Sequence, residues 1–137
     1  MVFLRRWAFL LLLPFILVAA SVTGSFSAET ERRDPAAIAR EDHKPVVADF
    51  GLGFCRQCKQ QTATLKEVEA AYGDRVAVRW VHVNLEGALV ERYQVEMIPL
   101  LVFFDATGKE AFRKVGPLPY KEIRDQLARM GIKEKRK

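Results

Sequence analysis

Three runs of strand length constrain this chain most: the apolar Val46–Phe50 and Ile98–Phe104, closed by Gly51 and Asp105, and the β-branched Val76–Val83, long enough for a central strand. Short runs rich in valine, leucine and phenylalanine read as strands buried on both faces. The segments between them carry helical spacing. In 56–72, Leu65, Val68 and Tyr72 fall at i, i+3 and i+7, with Lys66, Glu67 and Glu69 on the other side. Residues 86–93 are expected as a short helix. From Tyr120 a closing helix places Ile123, Leu127 and Met130 on one stripe, and Gly131 suits its end. Asp105-Ala106-Thr107-Gly108 is a hairpin turn, with a returning strand over 109–115. Upstream, Asp34 can cap a helix running from Pro35 to about residue 41, and Pro45 breaks it. Strands separated by helices are expected to be parallel neighbours, and the last two an antiparallel hairpin. The class is therefore α/β: a mixed four-stranded sheet with helices on both faces.

The chain has 137 residues, enough for one domain. Its N-terminus reads as a targeting segment. Arg5 and Arg6 precede an apolar run from Trp7 to Ala20, and small residues follow as far as Ala28. The run contains Pro14 and is shorter than the roughly 20 apolar residues that a spanning helix needs. A signal peptide over 1–27 is expected, an uncleaved N-terminal anchor being the rival reading. The folded domain then covers 28–132, and 133–137 form a basic tail. The formal net charge of +5 lies mostly at the two ends, since the last five residues alone contribute +3. A nucleic-acid-binding domain should carry its charge on a folded face, so no nucleic-acid partner is expected. The tail reads as a solvated end, with weak attraction to an anionic membrane surface as the second reading.

Both cysteines, Cys55 and Cys58, follow the targeting segment, and they sit where the first strand gives way to a helix. Free N–H groups at a helix N-terminus stabilise an anion. A cysteine placed there has a lowered pKa and becomes the thiolate that attacks disulfides. With two residues between them, the second thiol reaches the first within one helical turn and can resolve a mixed disulfide. Cys55 is the expected nucleophile and Cys58 the resolving thiol, with Arg56 adding nearby positive charge. Zinc would need two further ligands, and only His43 and His82 are available, at no zinc-finger spacing. A purely structural disulfide would close too small a loop to contribute much entropy. Two thiols in an exported chain of this size point to redox work.

Several segments together resemble the thioredoxin family: Pro45-Val-Val-Ala-Asp-Phe, Cys55-Arg-Gln-Cys-Lys59, Tyr93-Gln-Val-Glu-Met-Ile-Pro99-Leu-Leu-Val-Phe-Phe, Gly108-Lys109 and Val115-Gly116. The resemblance covers about residues 40–132, and the Phe103-Phe104-Asp105-x-x-Gly108 hairpin is similar to the reductase thioredoxin domains of bacterial envelopes. It implies a thioredoxin fold and a thiol–disulfide oxidoreductase in the periplasm or cell envelope. The expected substrates are protein disulfides and dithiols, with a possible membrane protein as electron donor and a monomeric chain. No cofactor or metal is needed, because the sulfurs carry the electrons. The resemblance also implies that Pro99 is a cis-proline facing the two sulfurs, and that Asp49 lies beneath them and helps deprotonate the resolving thiol. Phe54, Arg56, Gln57 and Ile98 are the expected substrate-facing residues, with Met97 beside them. His82 is expected as a core or edge-strand histidine and Trp80 as core packing.

The chain also departs from that family. Arg56-Gln57 replaces Gly-Pro, Phe54 replaces the usual tryptophan, and Trp80 stands where a lysine would accompany the buried carboxylate. A reductase or isomerase is expected rather than a primary oxidant. The alternative is a thioredoxin-fold binding or adaptor module in which the cysteines are secondary.

Overall fold

The computed structural model describes residues 34–135; the expected targeting segment and the last two residues of the tail lie outside them. The chain opens with helix α1 (Pro35–Asp42). The Asp34 carboxylate caps it by accepting the Ala36 N–H at 2.9 Å, and Pro35 occupies a position where its missing N–H costs nothing. His43 ends the helix in the left-handed region. Strand β1 (Val46–Gly51) leads into the long helix α2 (Arg56–Tyr72). A 3-10 turn (Gly73–Arg75) precedes β2 (Ala77–His82). Helix α3 (Gly87–Arg92), the hairpin β3 (Leu100–Phe104) and β4 (Glu110–Val115), and helix α4 (Tyr120–Arg129) complete the domain.

The sheet order is β2-β1-β3-β4, so β2, expected as a central strand, lies at an edge. β1 and β2 run parallel, with Val46 opposite Ala77 and Gly51 opposite His82. β3 departs from the expectation that helix-separated strands are parallel: it lies antiparallel to β1, with Val46 opposite Phe104 and Phe50 opposite Leu100. The cause is the length of α3. Its six residues advance only about 9 Å, whereas a six-residue strand spans roughly 20 Å. The chain therefore stays at the end of the sheet where β2 finishes, passes β1 and runs back. β3 also starts at Leu100 rather than Ile98. Pro99 has no N–H to give to a ladder, though its carbonyl accepts from Gly116 N–H at 2.8 Å.

Alternation along β1 separates two cores. Val46, Ala48 and Phe50 face α1 and α3, packing with Leu89, Tyr93, Leu100, Val102 and Phe104. The Tyr93 ring sits 5.4 Å from Phe50 and 5.5 Å from Phe104, and its hydroxyl donates to Asp34, which also takes the Arg92 guanidinium. On the other face Val47 packs with Leu65, Val68, Tyr72, Leu101, Phe103, Ile123 and Leu127, from α2, β3 and α4. Helices thus cover both faces, and Asp49, two residues beyond Val47, is carried to the α2 face by the period of the strand.

The C-terminal tail is exposed at residues 133–135, as expected of a solvated end, but it is also held to the domain. Lys135 N–H donates to Ala71 O at 2.9 Å, and the Arg75 guanidinium donates to the carbonyls of Lys133 and Glu134 at 3.0 and 2.9 Å. Tyr120 donates to the Glu134 carboxylate at 2.8 Å. Among the described residues no helix is long and apolar enough to cross a membrane.

Candidate active site

β1 ends at Gly51, and the loop 52–55 turns directly into α2. Cys55 is the N-cap residue of that helix: its sulfur accepts the Cys58 N–H at 3.3 Å. Hydrogen bonding from the Cys58 side chain, and then from the Cys58 backbone, holds the Cys55 thiol below its usual pKa. Arg56, expected to share in this, is exposed and is not among the groups that shift the thiol; solvent screens a charge so placed. Cys58 behaves oppositely. It is buried, and burial followed by its bond with Cys55 pushes its thiol up to about 11. The pair therefore consists of an accessible sulfur readily ionised and a sheltered one that must be deprotonated to act.

Asp49 is the group expected to serve that second need. It is 4% exposed, and burial raises its carboxyl pKa to about 7. Its Oδ1 has no hydrogen-bond partner. Gly51 shows how close the two groups stand: a Cβ built on it would lie 3.5 Å from Cys58 Sγ and 4.0 Å from Asp49 Oδ1. Trp80 lies opposite Asp49 in the β1–β2 register, half-buried and packed against the core on the α2 face. Both residues line a cavity of about 410 Å³ that also reaches Cys58, Thr62, Lys66 and His82. His82 is an exposed edge-strand residue there. Thr62 was not singled out in the sequence and Lys66 was read only as lying opposite the core stripe, although Cys58, Thr62 and Lys66 recur every fourth residue along α2, a spacing that places them on one face. Gly51 left no such signal, because its importance lies in a contact between segments.

The residues expected to face substrate gather at the same end of the sheet. The Ile98–Pro99 peptide bond is cis; Pro99 is buried and Ile98 half-buried. Phe54 and Met97 are 77% and 63% exposed, and Arg56 and Gln57 are exposed on the first turn of α2. Leu85 and Val115, also exposed, follow β2 and end β4 at this same end. Behind the helix start, the buried Gln61 side chain accepts Leu118 N–H at 2.7 Å, tying α2 to the segment before α4.

Comparison with known proteins agrees with this arrangement. Residues 33–131 match the family model of a thioredoxin-like domain. Thioredoxin Y of rice chloroplasts (Oryza sativa subsp. japonica) is 29% identical over 90 residues, 66% of this chain and 53% of that protein. A TxlA-homologous thiol:disulfide interchange protein of Synechocystis is 28% identical over 105 residues, 75% of this chain and 58% of that one. The chain thus spans little more than half the length of these two relatives. Thioredoxin 1 of Chlorobaculum tepidum is matched over 88% of its length, at 29% identity and 66% of this chain. Among solved structures, a chloroplastic thioredoxin z superposes with a TM-score of 0.63 at 23% identity, over 69% of this chain and 85% of that one, which supports the fold. With the family model spanning residues 33–131, a four-stranded mixed sheet between helices and a Cys55/Cys58 pair at the start of α2, this chain belongs to the thioredoxin-like family.

Proposed function

We propose that this chain is a thiol–disulfide oxidoreductase of the cell envelope that acts on protein disulfides, as a reductase or isomerase rather than a primary oxidant. One observation carries the reading: Cys55 holds its sulfur in hydrogen bonds at the start of α2, while buried Cys58 shares a small volume with the buried Asp49 carboxyl. In the reducing direction the Cys55 thiolate attacks one sulfur of a substrate disulfide. A mixed disulfide forms, and the other substrate sulfur leaves as a thiolate that takes up a proton. Cys58 then gives its proton through water to ionised Asp49 and attacks Cys55 Sγ. The mixed disulfide breaks, the second substrate thiolate departs, and the electron pair has passed from the Cys55/Cys58 dithiol to the substrate. Phe54, Ile98 and Pro99 provide the groove for the substrate backbone and apolar side chains. Arg56 and Gln57 face the same partner. A membrane-embedded donor restores the dithiol, and the N-terminal segment exports or anchors the chain; the Arg5–Arg6 and Trp7–Ala20 pattern supports this placement.

Catalysed reduction of insulin by dithiothreitol, followed as turbidity, tests the reading. Acceleration that disappears in Cys55→Ser is expected. No acceleration by the wild-type protein would favour the adaptor reading, in which the exposed apolar side chains at this end bind polypeptide without exchanging electrons.

A further inference from the structure

A second feature lies at the opposite end of the sheet and takes no part in redox chemistry. Where β1 and β2 begin, a cleft of about 490 Å³ is lined by His43, Lys44, Arg75 and Lys133, with Asp74 the one carboxylate in its wall. Asp42 ends α1 beside it but does not line it. The cleft forms because the C-terminal segment is seated there. Arg75 holds the carbonyls of Lys133 and Glu134, and Lys135 N–H bonds Ala71 O. The Lys135 side chain also lies over Gly73, whose φ is +53° and where any Cβ would collide with it. Glu134, the one acid of the tail, is turned to the Tyr120 hydroxyl.

The distribution of charge gives this meaning. Residues 34–132 hold equal numbers of Lys/Arg and Asp/Glu, so the folded part before the tail is formally neutral. The last five residues add +3, of which Lys133, Glu134 and Lys135 account for +1, and the structure places Lys133 beside Lys44 and Arg75. Arg136 and Lys137 continue the chain from this point. The cleft precedes β1 and β2, whereas Cys55 follows β1, so a six-residue strand, roughly 20 Å, separates the two ends.

We infer that the Lys44–Arg75–Lys133 face is a docking surface for anionic phospholipid headgroups, which sets the domain on a bilayer with its Cys55/Cys58 end turned away. A face where Lys44, Arg75 and Lys133 outnumber the single carboxylate of Asp74, on a neutral domain, complements a sheet of anionic headgroups, and its attraction falls off within a Debye length. The same chain carries at its other end an arginine pair and apolar run that direct it to a membrane. A domain held this way presents its groove to proteins beyond the membrane surface.

The test is co-sedimentation of the full chain with phosphatidylcholine vesicles, with or without about a third phosphatidylglycerol, at two salt concentrations. The apolar N-terminal run contributes to both vesicle types, so the comparison is between wild type and Lys44→Glu/Lys133→Glu. The expected result is at least a tenfold weaker partition of the variant onto anionic vesicles at low salt. The difference should vanish on neutral vesicles and shrink at high salt, with insulin reduction in solution unchanged as proof of folding. Equal partition of both proteins onto anionic vesicles overturns the inference. So does charge-dependent binding of duplex DNA under conditions where the vesicles show no difference between the two proteins. If the double variant does not fold, Lys133→Ala alone, which removes one charge and no described side-chain bond, should weaken anionic binding about threefold; no change there would overturn the inference equally.

Discussion

Replacing Asp49 by asparagine should make the protein more stable and slower at once, and the size of the first effect follows from burial. The carboxyl is raised from 3.8 to about 7 by desolvation, a gap that corresponds to about 4 kcal/mol. The unfolded chain loses this proton near 3.8 and the folded chain near 7. Folding is therefore fully favoured by the neutral acid at pH below the lower value. It is weakened progressively between the two and is level above the upper one. Asparagine has no proton to lose and escapes this penalty. Because Asp49 lines a cavity that water can enter, part of the penalty is already relieved. Asp49→Asn is expected to match wild type near pH 4 and to exceed it by about 2–4 kcal/mol at pH 8. Urea denaturation of both reduced proteins at pH 4, 6 and 8 measures this. Disulfide exchange should meanwhile slow by roughly tenfold or more at pH 7–8, losing the inflection near 7 that Asp49 gives the wild type. A stability difference that does not change between pH 4 and 8 would refute the desolvated carboxyl. Unchanged exchange rates across pH 6–9 would remove Asp49 from the mechanism.

Other outcomes follow from the same geometry. Cys58→Ser should accumulate mixed disulfides with envelope proteins through Cys55, while Cys55→Ser accumulates few; equal bands from both on a non-reducing gel would contradict the division of labour. Gly51→Ala places a Cβ 3.3 Å from Cys58 Cβ, so the start of α2 must shift by a few tenths of an ångström. A stability loss of about 1 kcal/mol and a several-fold slower second exchange step are expected in urea titration and stopped-flow kinetics. Asp34→Ala removes the cap of α1 and the acceptor of the buried Tyr93 hydroxyl, which should cost about 2–3 kcal/mol while insulin reduction by the folded fraction persists.

Much of this was legible from residue order, and the failures have physical causes. The α2 stripe of Leu65, Val68 and Tyr72 and the α4 stripe of Ile123 and Leu127 are buried as their spacing requires, because helical periodicity is a local property. The direction of β3 was not legible: a short helix between two strands leaves the return path open, and only its length against the strand decides it. Asp49 could be placed on the α2 face by alternation, but the nearness of Cys58 depends on Gly51 lacking a side chain. The basic tail is exposed at residues 133–135, as charge at a chain end ordinarily requires, but the seating of its backbone was not legible. Its seating rests on Arg75, almost sixty residues earlier in the chain, which no local pattern connects to it. Arg56 misled, since adjacency in sequence to Cys55 did not bring its charge to bear on the sulfur.

The central claim is that Cys55 and Cys58 form one reversible two-electron couple, poised by the hydrogen bonds that favour the Cys55 thiolate. Equilibrating the protein in glutathione buffers of graded ratio, then alkylating and weighing the products, measures that couple directly. Stabilisation of the reduced form beyond that of thioredoxin, which lies near about −270 mV, predicts a midpoint between roughly −240 and −180 mV. A midpoint near about −270 mV would show that these hydrogen bonds favour the reduced form no more than in thioredoxin, and one near about −120 mV would reverse the proposed direction of electron flow. Failure of the two thiols to form an internal disulfide at any ratio would contradict the account itself.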